Sequence, residues 1–139
     1  MSGELASGPI GAIVAQQVFG PLKREDLRRY ADASGDLNPL HLEIGFARQA
    51  GFPDVIVHGM LGMALFGRLI DEHLGKPTLL AFRASFRKII HIDQPIVCRA
   101  RLASRDSDKA VLTLEMLSSE DAILVDGSAT VALAEAKDL

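Results

Sequence analysis

At 139 residues the chain has the length of one domain with a single hydrophobic core. It is 48% hydrophobic and 24% charged, the balance of a soluble globular protein, and its net charge of −3 excludes a global basic field of the kind that attracts nucleic acid. One cysteine, Cys98, excludes an internal disulfide and suits a reducing compartment; the longest apolar run, Met60 to Phe66, is far short of the ~20 residues a bilayer requires.

Residues 1–11, rich in Ser and Gly, read as a flexible lead-in to a single domain over 12–139. The first nine contain no Lys or Arg and no sustained apolar run, so no signal peptide is expected and a cytoplasmic location is the default. Ile13 to Phe19 reads as a first strand ended by Gly20-Pro21. Lys23 to Ala33 has helical period, with Leu27, Tyr30 and Ala31 on one side and Arg24, Arg28 and Asp32 on the other. Gly35 is its stop signal. After an irregular loop over 34–41, a short helix is expected from Leu42 to Gln49. Phe52-Pro53-Asp54 makes a turn, and Val55 to Val57 is extended.

Gly59 to Leu74 reads as the main helix. Its first half, Met60 to Phe66, is apolar around the whole circumference, which predicts a buried helix. Charge enters only with Arg68, Asp71 and Glu72. Gly62 and Gly67 each cost roughly 1 kcal/mol in a helix interior relative to Ala, and make sense if a backbone or a ligand comes close. Beyond the helix the period changes to 2. Phe82, Ala84 and Phe86 alternate with Arg83, Ser85 and Arg87; Ile96, Cys98, Ala100 and Leu102 with Arg99 and Arg101; Leu112, Leu114 and Met116 with Thr113 and Glu115. A last strand runs from Ile123 to Leu133. The turns are Asp106 to Lys109 and Ser118 to Asp121. This predicts an antiparallel sheet with one apolar face, laid on the long helix: an α+β fold. Such a sheet leaves its edges exposed, so a dimer is physically attractive.

The chemistry concentrates in Ser34-Gly35-Asp36-Leu37-Asn38-Pro39-Leu40-His41. Gly35 permits unusual backbone angles, and Pro39 pushes Asn38 away from the helical region. A carboxylate and an imidazole on a stiff loop form an acid/base pair able to work on one water or one carbon. Near pH 7 a carboxylate is ordinarily ionised and an imidazole mostly neutral. His58-Gly59-Met60-Leu61 then opens the main helix, where free N–H groups and the helix dipole can meet a developing oxyanion. The competing reading of the loop is a turn in which the Asp caps the next helix. The four His show no metal-ligand spacing, and no metal is expected.

These segments resemble the MaoC-like hydratase/dehydratase family of the hot-dog fold. The match is Tyr30-Ala31-Asp32-Ala33-Ser34-Gly35-Asp36-Leu37-Asn38-Pro39-Leu40-His41 with Ala47 beyond, and the His58-Gly59-Met60-Leu61 helix opening, within about Val18 to Leu133. The resemblance implies an antiparallel sheet wrapped around a long central helix. It implies (R)-specific hydration of 2-enoyl thioesters, or the reverse dehydration of (R)-3-hydroxyacyl thioesters. Asp36 and His41 correspond to the catalytic pair and Gly59, through its N–H, to the oxyanion hole. Asn38 and Ser34 support the loop. His58, Met60, Met63, Phe66, Phe82 and Arg83 are the candidates for substrate contact, although His58 also reads as a structural residue fixing the loop. No cofactor is implied beyond the coenzyme A or acyl-carrier pantetheine of the substrate itself. The implied partners are the acyl thioester, a second copy in a homodimer or dimer of dimers, and an acyl carrier protein; no nucleic acid or membrane partner is expected.

The chain departs from the family where a Ser on the central helix often supports the carboxylate loop: Ala64 to Gly67 holds neither Ser nor Thr. Two other functions compete. A hot-dog thioesterase typically places an acid early on the central helix, and here the first is Asp71. A non-catalytic subunit of a heterodimeric dehydratase typically lacks the Asp/His pair, which this chain keeps. Arg83, Arg87, Lys88, Arg99, Arg101 and Arg105 form a basic stripe, either a solvated sheet face or an attraction for coenzyme A phosphates.

Overall fold

A computed structural model describes residues 3–133. In chain order it holds helix α1 (Gly3–Ser7), strand β1 (Ile13–Phe19), helix α2 (Arg24–Ser34), a 3-10 turn (Pro39–His41), helices α3 (Ile44–Gln49) and α4 (Gly59–Leu74), and strands β2 (Leu79–Phe86), β3 (Ile96–Arg105), β4 (Lys109–Leu117) and β5 (Ile123–Ala132). The five strands make one antiparallel sheet in the order β1-β3-β4-β5-β2. No helix among the described residues is long and apolar enough to cross a membrane.

Alternation decides the faces. Cys98, Ala100 and Leu102 of β3, Leu112, Leu114 and Met116 of β4, and Val125, Ala129 and Val131 of β5 are buried together with Leu65, Phe66, Leu69, Ile70 and Leu74 of α4. The helix lies on this inner face. Gly62 lets it come close: a Cβ there would stand 2.7 Å from Ile90 Cδ1. At Gly67 the same addition meets nothing, so the close approach expected there is absent from the single chain. The turns cap themselves, with Asp106 Oδ1 accepting from Asp108 and Lys109 N–H at 2.8 and 2.9 Å.

Three expectations are corrected. The lead-in over 1–11 is not loose throughout. Helix α1 buries Leu5 completely, and Arg105 donates to the Gly8 carbonyl at 2.7 Å, so an apolar anchor and a guanidinium fasten this segment to the sheet. Helix α4 is not buried all round, because one sheet covers only one side of it; Met60 stays 57% exposed and Ala64 is exposed. The third concerns the helix expected from Leu42, which starts at Ile44. Asn38 Oδ1 accepts from Leu40 N–H at 3.0 Å and Pro39 takes the first position, so a separate 3-10 turn forms first.

Candidate active site

Helix α2 ends where Gly35 turns left-handed at φ 79°, which a residue with a Cβ resists. From there three side chains each bridge two residues along the loop. Ser34 Oγ accepts from Asp36 N–H (3.2 Å), Asp36 Oδ1 from Asn38 N–H (3.3 Å) and Asn38 Oδ1 from Leu40 N–H (3.0 Å). This ladder orients the Asp36 carboxylate from its own loop and supplies the support that α4 lacks. It also joins the two readings of the loop: the turn is real, and it leaves Asp36 51% exposed and Oδ2 free of loop bonds.

His41 closes the 3-10 turn. Its Nδ1 is 2.7 Å from the Ile56 carbonyl, which can only accept, so Nδ1 carries the hydrogen. The bare Nε2 then faces Asp36 Oδ2 at 3.9 Å. That gap is too long for a direct hydrogen bond and the right width for one water held by both. Ile56 is itself fixed, its N–H donating to Leu40 O at 3.0 Å and its backbone bridging to His91. Arg24 Nε holds Asp54 Oδ1 at 3.0 Å, tying the start of α2 to the segment before Ile56. That bond, above all, pushes the Asp54 carboxyl below its ordinary pKa.

His58 is wholly buried between these parts. Its ring stacks on His41 (centroids 3.9 Å, 23°) and meets Tyr30 edge-on at 4.8 Å. Nε2 is 3.2 Å from the Asp36 carbonyl, and Nδ1 has no partner among the described residues. Burial first, then the neighbouring His41, pushes its pKa below the ordinary imidazole range. Immediately after it, Gly59 and Met60 begin α4, and no acceptor is found for either N–H among the described residues. A Cβ at Gly59 would lie 3.3 Å from the Phe86 ring.

The expected contact residues divide. Phe66 is completely buried in the core and His58 is completely buried under the loop, so in the single chain neither side chain presents surface for the contact expected of it. Met60 is exposed, and Met63 and Phe82 are half-buried. Arg83 lies exposed on the sheet face opposite to Phe82. Of the basic stripe, Arg87 pairs with Asp126 at 3.0 Å, Arg99 and Arg101 with Glu115 at 3.0 and 3.7 Å, and Arg105 with carbonyls of the α1 segment. Arg83 and Lys88 remain without an ion-pair partner among the described residues.

Ligand atoms of Asp36, His41 and His58 fall within 4.8 Å of one another, but they do not fit a metal. An ion must sit about 2.0–2.1 Å from each imidazole nitrogen, in the plane of its ring. Stacked rings 3.9 Å apart hold their lone pairs side by side rather than converging. The sequence missed two participants, the Ile56 carbonyl and the Phe86 ring beside Gly59; His58 reads from the sequence both as a substrate contact and as a structural residue fixing the loop, and its complete burial against the Asp36 carbonyl favours the second. A backbone acceptor leaves no residue signature. Phe86 was read only as one of an alternating apolar set, and Tyr30, quoted in the motif, was the one sign that an aromatic packs behind the loop.

The family model for the MaoC like domain matches residues 6–120. A mitochondrial 3-hydroxyacyl-[acyl-carrier-protein] dehydratase of Arabidopsis thaliana is 32% identical over 114 residues, covering 78% of this chain and 69% of that protein. The (R)-specific enoyl-CoA hydratase of Aeromonas caviae is 33% identical over 112 residues, covering 78% and 84%. The solved structure of an (R)-hydratase from A. caviae superposes with a TM-score of 0.83 at 28% identity, covering 91% of this chain and 97% of that one.

Proposed function

The chain belongs to the MaoC-like domain family, and from that membership we propose that it is a hydro-lyase adding water to 2-enoyl thioesters with (R) stereochemistry, or removing it from (R)-3-hydroxyacyl thioesters. The observation that carries this reading is the 3.9 Å separation of Asp36 Oδ2 and His41 Nε2, a distance that one water can span. A water there donates one hydrogen to each and turns a lone pair toward C3 of the substrate. As the C3–O bond forms, the pair takes one proton from the water. The C2=C3 electrons move toward the thioester carbonyl, and C2 then receives a proton from the pair, so atoms balance. The imidazolium formed on the way is held by the Ile56 carbonyl on one side and the carboxylate on the other.

The carbonyl oxygen gains charge as the enolate develops. Gly59 N–H, at the start of a sixteen-residue helix, is free to meet it, and the Phe86 ring lies beside it. Ser34 and Asn38 hold the loop. Met60, Met63 and Phe82 are the candidates for contact with the acyl chain, and Arg83, on the opposite face of the sheet, for the phosphates of the thioester arm. No acid precedes Asp71 on α4, which disfavours thioester hydrolysis.

The substrate's own coenzyme A or carrier-protein pantetheine is the only cofactor this mechanism uses, and a carrier protein is a candidate partner. A homodimer would cover the exposed side of α4. Burial pushes the Cys98 thiol up to about 12, keeping it unreactive, and a lone thiol suits the reducing cytoplasm. The test is loss of enoyl absorbance on adding the protein to 2-butenoyl-CoA. Hydration giving the (R)-3-hydroxy product is expected. No turnover of either coenzyme A or carrier-protein thioesters, or release of free thiol instead, overturns the reading.

A further inference from the structure

The hydration chemistry leaves one buried group unused. His58 has no exposed surface, yet it touches both members of the pair: the Asp36 carbonyl through Nε2 at 3.2 Å, and the His41 ring through its face. A carbonyl only accepts, so Nε2 carries the hydrogen and Nδ1 is a bare lone pair. The reverse tautomer would set a lone pair against the carbonyl oxygen and bury an N–H with no acceptor. A Phe would fill the same space and leave no orphaned nitrogen. What distinguishes His here is therefore the single N–H directed at Asp36.

We propose that His58 is the positioning residue of this site: a neutral imidazole that pins the backbone of Asp36 with Nε2–H and sets the plane of His41 by stacking, and so fixes the gap the reacting water occupies. The inference rests on the hydratase reading. His58 has no route to substrate and acts only through the two residues it holds. Among the described residues the titratable groups set against it are Tyr30 from α2, Asp36 and His41. Its backbone carbonyl also accepts from Leu61 and Gly62 N–H at 3.1 and 3.2 Å, so the residue that spaces the pair also starts the helix bearing Gly59.

The first measurement needs no turnover. Nitrogen-15 shifts of the wild-type His58 ring should report the neutral Nε2–H form throughout pH 6–8; an Nδ1–H form, or a charged ring at pH 7, overturns the proposal. Kinetics then separate holding from contact. His58→Phe keeps the ring and loses the donor; kcat for 2-butenoyl-CoA should fall about 10–10²-fold, the scale of a misplaced reacting group, with KM within about twofold. His58→Gln returns an N–H near the Nε2 position and should recover part of that kcat. Unchanged kcat in folded His58→Phe, a raised KM at constant kcat, or no recovery with Gln each refute the role. If His58→Phe does not fold, the ring tautomer in the wild type decides. A wild-type protein without hydratase activity would sink the function, while the tautomer would still decide whether His58 holds Asp36.

Discussion

Asp36 and His41 differ in exposure, 51% of the side chain against 12%, and each can be tested by mutation. Asp36 is half in solvent and its main-chain ladder leaves Oδ2 free, so Asp36→Asn should fold and lose about 10²-fold or more of turnover, the usual scale of a positioned acid/base. His41→Gln should lose as much. Activity near wild type in folded Asp36→Asn would remove the pair from the mechanism. His58 gives a pH effect of definite sign. Its folded pKa lies below the value near 6.5 of an unfolded imidazole, so the unfolded chain binds more protons between the two. The contribution of His58 to stability is then constant above about pH 7 and is lost as pH drops through about 6.5 toward the lowered pKa. Urea midpoints of wild type should decline from pH 7.5 to 5.5 more steeply than those of His58→Phe; equal slopes would contradict it. At this scale the sequence was readable where chemistry sits in side chains. Gly35, Asp36, Asn38 and His41 announced themselves through spacing. The Ile56 carbonyl did not, because any residue presents one.

Elements were legible in proportion to how local their causes are. β1 and α4 run over the residues that the periodicity assigned, since a run of alternating or helical apolar positions needs no distant partner to be recognised. α2 is displaced by a single residue, Gly35 ending it as expected. The order of the strands was not legible: β1 joins β3 and β2 joins β5 across long separations, and alternation names a face without naming a neighbour. Two glycines turn this geometry into predictions. Gly59→Val would press on the Phe86 ring at the start of α4 and crowd the free N–H. Losing one such donor in acyl transfer costs about 3–4 kcal/mol, so turnover should fall by about 10²-fold or more while urea stability changes far less. Normal turnover in Gly59→Val would mean the oxyanion is held elsewhere. Gly127 lies where β5 meets β2, and a Cβ there would stand 2.2 Å from the Arg83 carbonyl oxygen. A backbone oxygen in a ladder cannot rotate aside. Gly127→Ala should therefore destabilise by about 1–3 kcal/mol in chemical denaturation, and a neutral result would show that β2 is freer than its pairing implies.

At the scale of the molecule, the single chain leaves its sheet and its helix incompletely covered on the same account. β2 is an edge strand whose only charge is Arg83, and Leu79, Leu80 (55% exposed) and Phe86 (49% exposed) stand on it, with Ile89 just beyond. Edges left to solvent are normally blunted by charge, proline or a covering element, and β2 has little of these. Helix α4 presents Met60, Ala64 and the open side of Gly67 away from the sheet. A second copy pairing along β2 would join the two sheets and set the two α4 helices side by side. Because Phe86 lies on β2 and against Gly59, the same contact would place the partner at the rim of the site, where it can complete the apolar wall for the acyl chain. The expected state is a dimer, or an assembly of such dimers, at micromolar concentration. Leu80→Lys, exposed in the single chain and harmless to its core, should shift sedimentation toward the monomer and lower turnover in parallel. A wild-type protein that sediments as a stable, active monomer would refute the dimer. A Leu80→Lys protein that dimerises normally would move the contact from β2 to the opposite edge at β1.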